Sequence, residues 1–387
     1  MIASSPSSSS FVSSALFNPI QIGTHTLEHR IVLCPLNRRR CNEQYAPTDS
    51  MVKYYQQRTT PGGLVIGEAT MVSATAGAYP FAPGIYTEHQ IAQWHKVTDA
   101  IHGKKGIVFL QIRHAVRAST TQFLPPGAKL VSASTIPVPG HNELGNDFEI
   151  PHALTKQEIN DIVNDFVQAA KNAIAAGFDG VEIHGANGKS YLLDQFLNSS
   201  SNIRTDVYGG SIENRARFTL QVVKAVTGAI GVERTAIRFS PWSEFLGMED
   251  EKPYETWSYL VNQLEQDYPS MAYIHFIEPR DDFSRKTKND TQNSLNPFRK
   301  LWSGPFISAG GYTTKPDLAF EVASKTGNLI AFGRSFIANP DLVERLKHDW
   351  PLNPYNRATF YKGGDEGYIN YPFYNSATTA EVDVTKA

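Results

Sequence analysis

The stretch GVEIHGANGKSYLLDQFLNSSSNIRTDVYGGSIENRAR, residues 180–217, decides how the chain is read. Its short opening run, Val181 to Ile183, reads as a buried strand. His184, Asn187 and Tyr191 follow just past its end, where a parallel barrel keeps its chemistry.

Upstream, the same unit repeats. Residues 16–28 alternate apolar and polar side chains around Gly23 and Thr24, which predicts a hairpin plugging the bottom of the main fold. Strands are predicted over 31–36, 63–67 and 107–112, with helical spacing over 49–58 and 87–104. Residues 113–153 are rich in Pro, Gly and polar side chains and predict a long functional loop or lid after the third strand. Thr155 and Glu158 then form a capping-box signature for a helix over 156–176. Downstream, helices are predicted over 213–230, 254–266, 315–325 and 339–348, and strands over 235–239, 272–276, 305–308 and 329–332. Eight strands alternating with helices predict an α/β fold, a (β/α)8 TIM barrel with an N-terminal β-hairpin and a long loop after strand three. The rival open sheet has no GxGxxG between its first strand and helix to support it.

Composition narrows the partners. Lys and Arg total 36 against 38 Asp and Glu, so no charge excess points to nucleic acid or an anionic membrane, and a small molecule is the expected partner. No apolar run approaches the roughly 20 residues a membrane-spanning helix needs. Cys34 and Cys41 make neither a disulfide framework nor a metal quartet, which predicts a reduced, cytoplasmic setting and no metal. Residues 1–15 read as a flexible Ser-rich tail, 16–375 as one barrel domain and 376–387 as a C-terminal tail; the oligomer is left as monomer or homodimer.

The predicted strand ends concentrate polar groups on one rim: Pro35-Leu36-Asn37, Glu68-Ala69, Gln111 to His114, His184 to Asn187, Arg238, and Glu278 to Arg280. Gly310 and Gly311 after strand seven, with Gly333 and Arg334 after strand eight, supply bared backbone N–H groups and a guanidinium, the barrel's usual phosphate cradle. A phosphorylated ligand is therefore expected. His184 and Asn187 are close enough in sequence to donate to one carbonyl oxygen.

These residues carry a resemblance. HGANG, YLLDQFL and SNIRTDVYGGSIENRARF, together with LFNPIQIG, TPGGLVIGEATMVS, FSPWSEFLGM, ISAGGY, AFGRSFIANPDLVERL and GYINYPFY, closely resemble the old yellow enzyme family of flavin mononucleotide (FMN) ene-reductases, in its fungal and 12-oxophytodienoate-reductase-like branch, over residues 16–374. The resemblance implies FMN held by Pro35, Leu36, Asn37, Ala69, Gln111, Arg238, Gly310, Gly311, Gly333 and Arg334. It implies NADPH, or NADH, as hydride donor, and reduction of the C=C bond of an enone or enal whose carbonyl is bound by His184 and Asn187. Phe245 and Tyr361 would line the substrate pocket.

The sequence also departs from that family. Its usual proton donor is a tyrosine two residues after the asparagine, yet position 189 is Lys and the tyrosine stands at 191, so Lys189 and Ser190 read as a two-residue insertion. Either Tyr191 is restored to its place by an outward bulge, or Lys189 or water protonates the substrate, or the net reaction is a redox-neutral isomerisation or cyclisation. A catalytically silent flavin-binding scaffold is a further alternative. Asn37, Ala69, Arg113 and Val116 replace the family's common Thr or Cys, Gly, Trp and Gly, which predicts a specialised substrate, Arg113 meeting either an acidic substrate or a carboxylate of the protein.

Overall fold

The first turn of the fold is set by Gly23. It adopts φ 48° between β1 (Ile20–Ile22) and β2 (His25–Leu27), and a Cβ there would sit 2.1 Å from the carbonyl oxygen of Glu233. Only glycine lets the hairpin seat this closely. The structure is a computed structural model describing residues 14–77, 79–142, 144–186, 191–243, 249–279 and 292–375.

After the hairpin come β3 (Ile31–Leu33), β4 (Leu64–Met71), β5 (Ile107–Arg113), β6 (Val131–Ser132), β7 (His152–Ala153), β8 (Gly180–Gly185), β9 (Thr235–Phe239), β10 (Tyr273–Ile277), β11 (Phe306–Ala309) and β12 (Leu329–Phe332). Strands β3, β4, β5, β8, β9, β10, β11 and β12 close into one parallel barrel, as the alternation predicts. The short pair β6 and β7 lies apart, within the excursion after β5.

Strand pleating sorts the core into two compartments. Outward residues such as Val181, Ile183, Ile237 and Ile274 pack under the surrounding helices. Inward residues Leu64, Ile66, Ile107, Phe109 and Tyr273 fill the barrel together with Ile22 and Leu27 of the hairpin. The hairpin therefore stoppers the N-terminal end of the barrel, and the chemistry is left to the other end. The helices start where their caps dictate: Thr87 with Gln90 and Thr155 with Glu158 form reciprocal capping boxes for Glu88–His102 and Lys156–Ala175. No helix among the described residues is long and apolar enough to cross a membrane.

Several boundaries differ from the sequence reading for identifiable reasons. The first barrel strand stops at Leu33 instead of 36: Cys34 still donates to Phe332, but Pro35 has no N–H to continue the ladder. Strand β4 runs on to Met71 past a register shift between Gly67 and Thr70, which brings Ala69 to the rim. The last predicted helix, 339–348, starts only at Leu342 and ends at His348, and a separate short helix, Arg334–Ala338, precedes it. Two six-residue helices, Leu192–Leu197 and Asn296–Leu301, are too short for their periodicity to show in the sequence.

The long excursion is tied to the barrel rim. Ser132 Oγ donates to Gln195 Oε1 at 2.8 Å, and Arg204 donates to the carbonyls of Ala133 and Leu154 at 3.0 and 2.6 Å. Truncating the stopper tests its contribution: Leu27→Ala should cost about 2 to 5 kcal/mol, read as a lowered thermal midpoint, whereas exposed Thr26→Ala should leave the midpoint within about 1 °C.

Candidate active site

One cleft of about 350 Å³ opens at the C-terminal ends of the strands. Pro35, Leu36 and Asn37 form one side after β3, with Ala69 and Gln111 beside them. His184 and Arg238 rise from neighbouring strands, and Tyr191 stands at the start of the helix Leu192–Leu197. Gly310, Gly311, Gly333, Arg334 and Tyr361 complete the cleft. Thirteen of the residues singled out from the sequence thus share one cleft, although they lie more than 300 positions apart.

Arg113 is placed differently. It is fully buried behind the cleft wall, its Nε donating to the Ala69 carbonyl at 3.1 Å and its guanidinium 5.1 and 5.5 Å from the rings of Tyr79 and Tyr191. No carboxylate of the described residues contacts it. Asn187, Lys189, Phe245 and Arg280 lie outside the described residues.

His184 is the centre of the reactive wall. Its ring lies 3.8 Å, centroid to centroid, from that of Tyr191, and the backbone N–H of Leu192 donates to the His114 carbonyl at 2.8 Å. The chain just after Tyr191 is therefore tied down while its ring lies against His184. Burial, with the charges of Arg238 and Arg113 behind it and His275 nearby, lowers the His184 pKa well below its ordinary 6.5. At neutral pH the imidazole is uncharged and keeps one N–H to donate.

The signature SNIRTDVYGGSIENRAR holds this wall in place without touching the cleft. Asn202 donates to the carbonyls of Phe196 and Tyr208, and buried Arg215 donates to Leu197 O at 2.7 Å and to Asp250 Oδ2 at 3.1 Å. The helix carrying Tyr191 is fixed by these bonds. Across the mouth, Arg38 and Arg40 both donate to the Phe360 carbonyl, at 3.1 and 2.8 Å, and so bring Phe360 and Tyr361 over the cleft. Sequence reading passed over Arg38 and Arg40, whose runs of like charge resemble a solvated surface; the C-terminal carbonyls that bury them lie 319 or more positions away.

The residues fit FMN. Gly310 and Gly311, with φ of 117° and 76° in the left-handed region, line the same cleft as Arg334 and leave no Cβ in the way of a phosphate. The buried atoms Asn37 Oδ1, His184 Nδ1 and Arg238 Nε have no protein partner among the described residues, and all three residues line the cleft. A polar ring system satisfies such groups, and the Arg238 cation suits one that gains negative charge on reduction. Replacing Gly311 by Val puts a β-branched side chain at φ 76° and in the phosphate's way. That variant should purify with little flavin absorbance and bind added FMN at least tenfold more weakly than the parent by fluorescence titration.

Comparison with known proteins agrees with the cleft. The family model described as NADH:flavin oxidoreductase / NADH oxidase matches residues 15–353. The chain is 45% identical over 359 residues to 12-oxophytodienoate reductase 1 of Oryza sativa subsp. japonica, covering 92% of this chain and 93% of that protein. It is 43% identical to flavin oxidoreductase hxnT of Emericella nidulans, covering 92% and 97%. Among solved structures, morphinone reductase superposes with a TM-score of 0.87 at 39% identity, covering 95% of this chain and 98% of that one; a structure of morphinone reductase in complex with tetrahydroNAD gives 0.85 at 39% identity, covering 94% and 98%. The rim of polar strand ends, the glycine pair opposite Arg334 and these matches along nearly the whole chain agree: the chain belongs to the NADH:flavin oxidoreductase family, the old yellow enzymes, whose cofactor is FMN.

Proposed function

We propose that the protein is an NAD(P)H-dependent ene-reductase acting on an α,β-unsaturated aldehyde or ketone. The observation that carries this reading is the neutral, buried His184 with the Tyr191 ring centred 3.8 Å away in the same cleft. A carbonyl substrate needs a donor that polarises its oxygen without surrendering a proton, and a separate acid for carbon. An uncharged imidazole and a phenol side by side meet both needs. That relatives are named 12-oxophytodienoate reductase and morphinone reductase supports an enone as the substrate class.

The glycine pair, Arg334 and Arg238 would hold FMN, which would supply two-electron hydride chemistry between the nicotinamide and the alkene. His184, with Asn187 beside it in sequence, binds the carbonyl oxygen and stabilises the charge that develops there. Tyr191 protonates the α carbon, so the alkene gains hydride at one carbon and a proton at the other. The packing of the Tyr191 ring against His184 and its contact with Arg113 support this assignment over Lys189. Tyr361 shapes the outer pocket. The barrel of residues 16–375 works as one domain between two tails, in the cytoplasm, as a monomer or homodimer. The departures at Asn37, Ala69, Arg113 and Val116 favour a dedicated substrate of specialised metabolism.

Anaerobic NADPH should bleach the bound flavin and 2-cyclohexen-1-one should restore its colour; a bleached flavin that no enone or enal reoxidises would contradict the proposal. His184→Ala should lower the oxidative half-reaction by about 10² to 10³ through loss of one oxyanion donor. Because the His184 pKa is depressed, its neutral form persists as pH rises and is lost only well below pH 6.5, so this donor should add no inflection to the rate between pH 6.5 and 8. Tyr191→Phe should slow product formation, and mass spectrometry should find the product two hydrogens heavier than the substrate in the parent enzyme; unchanged mass would indicate isomerisation.

A further inference from the structure

Beneath the cleft, the barrel interior holds a polar chain that the proposed reaction does not use. Glu182 of β8 is fully buried. Its Oε1 accepts from Gln111 Nε2 at 2.6 Å and its Oε2 accepts from His275 Nδ1 at 2.8 Å. Gln111 lines the cleft floor, whereas Glu182 and His275 lie below it. Arg238, also a lining residue, is the register partner of both His184 and His275, so it borders this chain on the cleft side. It makes no carboxylate contact among the described residues, and it donates to Cys34 Sγ at a long 3.6 Å.

We propose that Glu182, braced by His275, is a positioning residue with two effects on the bound flavin. The first is orientation. A carboxylate only accepts hydrogen bonds, so Glu182 takes the amide nitrogen of Gln111 and leaves the amide oxygen as an acceptor for the ligand. The amide cannot flip without setting two acceptors against each other.

The second effect is charge. Glu182 remains ionised although its burial opposes this, because His275 beside it, the Arg238 cation and the Gln111 amide outweigh burial and lower its pKa. Burial keeps the neutral form of His275 favoured, and its pKa falls below the ordinary value despite Glu182. A fixed negative charge thus sits below Arg238, where dielectric screening is weak, and offsets part of the positive field that would otherwise stabilise the anionic reduced flavin. Glu182 is in this sense a brake on the flavin's potential. Tyr273, one inward position below His275 on the same strand, keeps its phenol neutral, since burial and the adjacent Glu182 push its pKa well up.

The test is the midpoint potential of bound FMN in the full chain, measured by reductive titration against redox dyes without any alkene substrate, so it stands or falls independently of the enone assignment. Glu182→Gln removes the charge with little change in shape. The bound flavin should become easier to reduce, the two-electron equilibrium shifting at least tenfold, about 30 mV, while Glu182→Asp restores most of the parent value. The Gln111→Leu variant should bind FMN several-fold more weakly and leave the potential within a third of that shift; adding Glu182→Gln to it should still raise the potential. A buried-carboxylate role confined to stability would lower the thermal midpoint and leave the potential where it was. That result, or a potential that falls in Glu182→Gln, would overturn the proposal. His275→Leu gives a second reading if Glu182→Gln yields too little folded protein: loss of the Oε2 donor favours protonated Glu182, so the potential must again rise.

Discussion

The period-two alternation of a closed parallel barrel is the constraint on which the rest depends. On three strands the inward side changes from apolar to polar within two residues: Phe109 to Gln111 on β5, Ala236 to Arg238 on β9, Tyr273 to His275 on β10. Lower positions join Ile22 and Leu27 of the hairpin in a dry plug, and upper positions present charge and hydrogen-bonding capacity to the cleft. A buried charge is tolerable only when paired or aimed at a ligand. The upper layer shows both cases, with Glu182 bonded to two neighbours and Arg238 facing the cleft.

The rim above that layer is built mostly from irregular chain, and arginines hold it. Arg38 and Arg40 collect carbonyls from 359–367, Arg58 those of Phe336, Ile337 and Tyr368, Arg204 those of Ala133 and Leu154, and Arg215 those of Leu197 and Gly210. A guanidinium's rigid fork of five donors can satisfy carbonyls that have no strand partner, which lysine's single ammonium does less specifically. Loops so tied can place His184, Tyr191 and the glycine pair to within the tolerance that catalysis requires.

The barrel was legible because its signal is redundant. Eight apolar runs and their helices agree even where a boundary slips, and both the capping box at Thr155 and the hairpin at Gly23 have local chemistry. The cleft was legible wherever strand ends fall close in sequence to distinctive residues, as with Gln111, His184, Arg238 and Gly310-Gly311. Long-range partnerships were not. Nothing local in GVEIH says that Glu182 meets His275, 93 positions on, and the Arg38 to Arg40 run gives no hint of the C-terminal segment that buries it. Arg113, expected near substrate or a carboxylate, is buried by partners distant in sequence, the Ala69 carbonyl and the rings of Tyr79 and Tyr191.

A flavin phosphate seated on the glycine pair, with its ring above a polar barrel layer, is the central claim, and paired titrations of flavin-free protein with FMN and with riboflavin test it most directly. The account predicts that FMN binds at least a hundredfold more tightly than riboflavin and that Gly311→Val removes most of the difference. Equal affinity for the two flavins, or no binding of either by folded protein, would contradict it.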